Sequence, residues 1–353
     1  MTVSLLLQKA FKLKVINLYN TRYLTKLPEF SEIPNLERIN LSGSNLERLP
    51  ATIKQFSQLR YLYLRNCNML QSLPELPLFL SHLDASNCKR LESLPEISPC
   101  LEELDISILE KLSKSTFPMK HDCSLMQFEF QNCWELNEDK ILADSELRIQ
   151  RMAIASLRLF YEKVFISLFR SLSPLSLFDT SEILIFILQE QLYCPSILLP
   201  GSEIPKWFTF QNIGPLIALQ LPEHCLINLI GFALCAVIDF KHLASNSWDS
   251  FYISCGIHIK TNKPEDFYFS CFLANIRDAI YSDHVILGFS PLGIGGGNHN
   301  ATVLVSFFPT KVKCCGLSPV YADPNKTEPK TFTLKFAAEI GKLDDKASKI
   351  ESK

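Results

Sequence analysis

The sequence has almost no excess charge of either sign: 35 Lys and Arg stand against 37 Asp and Glu, leaving a formal net charge of −2. No field of one sign is then available to hold a phosphate backbone or an anionic membrane surface. Nucleic acid is excluded as an expected partner. Cysteine is plentiful, at 12 residues spread from Cys67 to Cys315, but no two form a C-x-x-C pair. Reduced thiols in the cytoplasm, with the nucleus as a second compartment, fit better than a disulfide framework or a zinc site. The opening residues hold only Leu5 to Leu7 as an unbroken aliphatic run, which is too short for a signal peptide. The most apolar stretch, Val164 to Leu199, is broken by Arg170, Pro174, Asp179 and Glu182, so no spanning helix of about 20 apolar residues is expected there. Neither G-x-x-x-x-G-K-[ST] nor G-x-S-x-G occurs, and His284 and His299 lack metal-ligand spacing. The expected inventory is therefore no catalytic residue, no cofactor and no metal.

What is present is a repeat. Leu13, Leu36, Leu59, Leu80 and Leu101 each begin an L-x-x-L-x-L-like unit, at intervals of 23, 23, 21 and 21 residues. That period is the leucine-rich-repeat pattern, in which stacked units share a core that a single unit cannot bury. Alternation along each strand sends Ile16, Leu18, Ile39, Leu41, Leu62, Leu64, Leu83, Leu104 and Ile106 inward. Cys67 and Cys88 take the turn position held by Thr21 and Ser44, where a small polar group can satisfy buried backbone. The Leu-Pro pairs at 27/28, 49/50, 73/74 and 94/95 punctuate the units.

The opposite strand face is left for recognition. It carries Val15, Asn17 and Tyr19, then Arg38, Asn40 and Ser42, then Tyr61, Tyr63 and Arg65, then His82, Asp84 and Ser86, then Glu103 and Asp105. Aromatic and guanidinium groups gather in the middle, and these types dominate protein interfaces. The candidate protein-binding set is Arg38, Asn40, Tyr61, Tyr63, Arg65, His82, Asp84, Glu103 and Asp105. On this reading, alanine at Tyr63 or Arg65 weakens a partner and leaves the fold intact.

The expected domains are a leader or partial repeat at 1–12, repeats at 13–115, a degenerate repeat cap and helical connector at 116–195, an all-β unit at 196–325 and a flexible tail at 326–353. In the connector, Leu125 to Phe130 followed by Asn132 and Cys133 reads as a last repeat, and apolar residues from Ile141 to Val164 recur at helical spacing. Such a helix packs on its neighbours or, as an alternative reading, anchors a regulatory protein at a membrane. From Ser196 the texture changes to short apolar and aromatic runs separated by turn residues, as in an antiparallel sandwich.

The segment Leu198-Leu199-Pro200-Gly201-Ser202-Glu203-Ile204-Pro205-Lys206-Trp207-Phe208, followed by Gly231-Phe232-Ala233-Leu234-Cys235-Ala236-Val237, carries a resemblance. So do His284-Val285-Ile286-Leu287-Gly288, Lys311-Val312-Lys313-Cys314-Cys315-Gly316 and Gln131-Asn132-Cys133-Trp134-Glu135-Leu136-Asn137. With the repeats, the chain resembles the C-terminal region of plant TIR-NB-LRR disease resistance proteins. Those proteins follow their repeats with a jelly-roll/Ig-like domain, the C-JID. The resemblance implies a repeat solenoid, a helical connector and a sandwich, acting as a non-catalytic recognition module of plant innate immunity. Its implied partner is a pathogen effector or the family's own TIR or nucleotide-binding receptor domains, met through the concave repeat face and the sandwich loops. The 353 residues contain no counterpart of the TIR domain that cleaves NAD or of the nucleotide-binding domain, so neither activity is expected of them.

Overall fold

Each repeat unit contributes one very short strand, because its flanking turn leaves only three residues extended before the chain must double back. Val15–Asn17 (β1), Arg38–Asn40 (β2), Tyr61–Tyr63 (β3), His82–Asp84 (β4) and Gln127–Glu129 (β5) pair in chain order, all parallel and in register. The structure, a computed structural model, describes residues 13–27, 33–77, 80–95, 127–153, 192–222, 229–240, 251–261, 267–276, 280, 282–291, 300–308, 311–322 and 334–336.

The turn after each strand is the signature of the repeat. Asn20, Asn66, Asn87 and Asn132 have φ of 60°, 57°, 62° and 56°, and Gly43 takes the same place at 75°. Only glycine, and asparagine among side-chain-bearing residues, visits this left-handed region readily. The next residue closes the turn. Thr21 Oγ1 donates to Leu18 O at 2.6 Å, and in the later units the Sγ of Cys67, Cys88 and Cys133 donates to the carbonyls of Leu41, Leu64 and Ala85 at 3.3, 3.0 and 3.1 Å. Each thiol thus ties its unit to the unit before. Burial pushes the Cys133 thiol up to about 12, which keeps it a protonated donor. The described cysteines are free.

One repeat assignment is corrected. The unit at Leu101 was expected to supply the strand after β4, yet β5 pairs directly with β4, and residues 101–107 lie outside the described residues. The QFEF segment competes well for that place, since Phe128 and Phe130 are buried and Asn132-Cys133 completes the turn.

The parallel stack does not end at β5. Ser196–Pro200 (β7) pairs with it, again in parallel, and carries the sheet into the C-terminal half. Beyond β7 lie Asp283–Pro291 (β13), Leu229–Asp239 (β10), Val312–Ala322 (β15) and Leu334–Phe336 (β16), antiparallel to one another, with Phe210–Ile213 (β8) also on β15; the whole is one 11-stranded sheet. A second sheet of five strands runs Leu192–Tyr193 (β6), Phe267–Ile276 (β12), Phe251–Thr261 (β11), Ala301–Phe308 (β14), Leu216–Leu221 (β9). Two expected boundaries shift accordingly. β6 falls before residue 196, and β16 lies within the tail expected to be flexible, where T-F-T-L-K-F alternation suits an added edge strand.

Alternation along β10 shows why the large sheet is the middle layer. Phe232, Leu234, Ala236 and Ile238 join the core under the five-stranded sheet, while Ala233, Cys235 and Val237 join the core continuous with the repeat interior. A strand buried on both faces reads as an unbroken apolar run, as LIGFALCAVI does. The second core is closed by the helix at residues 138–153 (α1), whose Ile141, Ile149, Met152 and Ala153 are buried in it. Asn137 caps this helix, its Oδ1 accepting from Lys140 N at 2.8 Å. These four side chains of the connector helix are therefore packed inward while Leu147 is exposed, and no helix among the described residues is long and apolar enough to cross a membrane.

Leu62 and Leu83 are fully buried on neighbouring strands in the repeat interior. Truncating either to alanine should cost about 2–5 kcal/mol of folding free energy. Chemical denaturation tests this, and losses below ~0.5 kcal/mol at both positions would reject the packing described.

Candidate functional site

On the open face of the parallel strands, side chains fall into rows set by the register. Val15, Arg38, Tyr61, His82 and Gln127 form one row, and Asn17, Asn40, Tyr63, Asp84 and Glu129 the next. At the centre, the Tyr61 and Tyr63 rings lie parallel at 6.5 Å, and His82 sits 5.3 Å from Tyr63 and 6.4 Å from Tyr61. The Arg38 guanidinium lies 4.6 Å from the Tyr61 ring centroid, a cation–π placement at an exposed site. Alternation alone brings these four residues together.

The other expected members have different surroundings. Arg65 Nη1 pairs with Asp84 Oδ2 at 3.2 Å, and the two side chains are only 19% and 4% exposed. Asp84 Oδ1 meanwhile accepts from Ser86 N at 3.1 Å, and Asn40 Oδ1 accepts from Ser42 N at the same distance. Asn17 does likewise for Tyr19 N. The row-two Asn and Asp thus brace the chain as it leaves the strand, a role that short side chains with an acceptor perform locally. Ser42, Asp84 and Ser86 were expected on an open face; they are buried. Glu103 and Asp105 lie outside the described residues, and the places beside His82 and Asp84 are held by Gln127 and Glu129, both buried.

The cause of that burial is the sheet's continuation. Gln127, Phe128 and Glu129 stand beside Ser196, Ile197 and Leu198, and Leu198 belongs to the core under the five-stranded sheet. Ser196 Oγ donates to Leu273 O of β12, so the edge of the second sheet stands over the row that begins at Val15. The accessible part of the open face runs from β1 to β4 and then meets this wall.

Two contacts fix the sandwich against the repeats. His284, fully buried on β13, accepts from Asn132 N through Nε2 at 3.2 Å, while Nδ1 lies 3.2 Å from Ser282 O and donates to it. The rings of Trp134 and Phe240 stand nearly perpendicular to the imidazole at centroid distances of 6.0 and 5.7 Å. On the other side, the L-P-G-S-E-I-P-K-W-F segment docks on α1: Ser202 N donates to Glu138 Oε1 and Trp207 Nε1 to Ser145 Oγ, each at 2.8 Å. Trp207 also stacks on buried Phe208 at 4.0 Å. These latching roles of His284 and Ser145 have no signal in the repeat pattern. The G-I-G-G-G segment at residues 293–297 and His299 lie outside the described residues, and no group of His, Cys, Asp and Glu suited to a metal occurs among the described ones.

Arg65 is the residue for which the sequence expectation fails most clearly. Removing it leaves a nearly buried carboxylate without the guanidinium that faces it, so Arg65→Ala should lose roughly 3 kcal/mol of stability rather than leave the fold intact. Arg38→Ala should stay within ~0.5 kcal/mol, because Arg38 is exposed. Thermal and urea unfolding of the two variants provides the check.

His284 gives a pH prediction. Burial lowers its pKa from 6.5 to about 4, so the folded chain holds it neutral. Above pH 6.5 neither folded nor unfolded chain binds this proton. Between pH 6.5 and 4 the unfolded chain does and the folded chain does not, so stability is lost as the pH is lowered through this window, by up to about 3 kcal/mol. In His284→Gln, whose amide oxygen can replace Nε2 as acceptor, that part of the slope should vanish. Equal slopes for the two proteins would contradict the assignment.

Comparison with known proteins follows the same division of the chain. Residues 199–326 match the model of the C-JID domain. The chain is 29% identical over 294 residues to the disease resistance-like protein DSC1 of Arabidopsis thaliana, covering 78% of this chain and 20% of that protein. The disease resistance-like protein CSA1 (27%, 75% and 19%) and disease resistance protein RPP2B (25%, 85% and 24%), both also from Arabidopsis thaliana, match similarly. The chain spans about a fifth to a quarter of the length of these relatives.

Proposed function

We propose that this chain, which carries a C-JID domain and is homologous over most of its length to plant TIR-NB-LRR disease resistance proteins, is a protein-recognition module of plant innate immunity. Its parallel strands are read as the last turns of a leucine-rich-repeat solenoid, a reading supported by the 21- to 23-residue spacing and the repeated left-handed turn. The carrying observation is the Arg38, Tyr61, Tyr63 and His82 cluster on the open face of the parallel strands, which leads without a break in the sheet toward the sandwich wall.

The half-buried Tyr61 and Tyr63 and the exposed Arg38 offer rigid contact area and charge at small entropic cost, the chemistry of interface anchors. A pathogen effector, or a receptor domain of the family's TIR or nucleotide-binding type, would lie across this face and against the sandwich loops. Arg65 and Asp84 would hold the floor of that surface rather than anchor the partner, and Asn40 would brace its turn. The reading assigns the module no catalytic step and places it in the cytoplasm or nucleus. The membrane-anchor reading loses its support, since Ile141, Ile149, Met152 and Ala153 of α1 are spent on the core.

Proximity labelling in infected plant tissue, with the native chain and the Arg38→Ala and Tyr63→Ala variants side by side, tests the reading. A partner so identified should bind each variant about 1–3 kcal/mol more weakly in titration, with folding unchanged for Arg38→Ala. If both variants bind normally and replacement of residues 295–300 abolishes binding, the concave face is not the site.

A further inference from the structure

We propose that the turns following the parallel strands form a second docking surface, one that takes an extended acidic segment of a partner protein. Each of these left-handed turns is bonded to the next: Asn20 N donates to Ser42 O, Gly43 N to Arg65 O, Asn66 N to Ser86 O and Asn87 N to Gln131 O, at 2.7 to 2.9 Å. The residues two positions further on therefore line up as Arg22, Asn45, Asn68, Lys89 and Trp134, all of them exposed. Asn45 Nδ2 donates to Arg22 O at 2.7 Å and fixes the first step of the row. Arg90, next to Lys89, reaches back to the preceding unit, its Nη1 lying 3.8 Å from Met69 Sδ.

Three cations of this row stand without a carboxylate. Elsewhere in the repeats a cation of one unit meets an acid of the next: Lys14 pairs with Glu37 at 2.6 Å, Lys54 with Glu75 at 3.1 Å and Arg65 with Asp84 at 3.2 Å. Among the described residues, Arg22, Lys89 and Arg90 have no such pair. Arg22 holds only the neutral Asn20 Oδ1, at 3.3 Å. Further round the turns, exposed Lys26 and Arg48 balance exposed Glu47 and Glu92, and in the row itself Glu135 stands alone as a carboxylate, at the far end beside Trp134. The positive excess is thus local, in a chain whose net charge is −2. Such a surplus recruits an anion.

Spacing sets the form of that anion. Arg22 and Lys89 are three units apart, about 14 Å at the spacing of neighbouring strands. An extended peptide covers about 14 Å in four residues, and residues four apart point to the same side. A segment crossing the units with two carboxylates at that interval meets Arg22 at one end and Lys89 with Arg90 at the other. Asn45 and Asn68 lie between, with side-chain amides for the segment's backbone. Tyr23, fully exposed, and Trp134, 46% exposed, flank the two ends with flat apolar area. A nucleic acid strand fits less well, since its phosphates recur at every nucleotide and the middle of this row is uncharged. The surface is separate from the Arg38, Tyr61, Tyr63 and His82 cluster, which lies on the strands rather than after them.

Fluorescence anisotropy of the full chain, titrated to millimolar concentration against labelled, capped peptides, tests the inference. One Ser- and Thr-rich peptide carries two Glu four residues apart, a second carries them three apart, and a third has Gln at both places of the first. The first should bind, and its affinity should fall as salt is raised. The second should bind several-fold more weakly, because its carboxylates point to opposite sides, and the third should not bind measurably. Arg22→Gln and Lys89→Gln should each weaken the first peptide about two- to fivefold, the range of an exposed ion pair, and together remove most of its salt dependence. Arg38→Ala should bind it normally, so this surface stands or falls apart from the open face. Thermal unfolding checks that each variant folds. Equal behaviour of the Glu and Gln peptides, no binding included, overturns the proposal. So does binding indifferent to Arg22 and Lys89, or an oligothymidylate of similar length that binds more tightly through the same two residues.

Discussion

The pairing of β5 with β7 is the constraint on which the rest of the molecule depends. Through it, Gln127, Phe128 and Glu129 align with Ser196, Ile197 and Leu198, and a stack of three-residue parallel strands becomes the edge of a large antiparallel sheet. Neither part could be closed as simply alone. A repeat stack ends with an open apolar core, and a sheet ends with unpaired backbone groups. Here each end covers the other, and the left-handed turn at Asn132 sits where His284 can accept the N–H of Asn132 itself.

The same pairing accounts for the division of labour on the open face. Sheet continuity carries one face into the sandwich interior, so the polar residues nearest the junction, Asp84, Ser86, Gln127 and Glu129, are withdrawn from solvent. The aromatic and cationic residues of β2 to β4 stay accessible, with the rim of the small sheet beside them. Asp84 is held by Arg65 and by the Ser86 amide, so the floor of the face is fixed by an ion pair and a hydrogen bond as well as by packing. Rigid coupling of face and sandwich follows from these contacts and from α1, which holds the L-P-G-S-E-I-P-K-W-F segment through Ser145 and Glu138.

Much of this was legible in the residues. The interval between Leu13, Leu36, Leu59 and Leu80 fixes strand spacing, and alternation then assigns Leu62 and Leu83 inward and Tyr61 and Tyr63 to the opposite face. The turn position of Cys67 and Cys88 is equally plain, because a thiol beside an Asn at fixed spacing recurs with the repeat. The Leu101 unit was misplaced because its pattern is as good as its neighbours', and pattern alone does not show that Gln127–Glu129 pairs next to β4. Asn40, Arg65 and Asp84 were read as contact residues because a side chain's direction is encoded by period, while its hydrogen-bond partner is not.

The sequence by itself determined the repeat, the turn chemistry, the change to all-β texture at Ser196 and the kinship of the chain, since each depends on local spacing or on short contiguous motifs. Only the tertiary structure decided that the two halves share one sheet and that His284 latches onto Asn132 across 152 positions. The physical reason is distance along the chain. Strand pairing and burial join residues whose separation carries no periodic signal, so their partners are chosen by which surfaces remain to be covered once the local elements have formed.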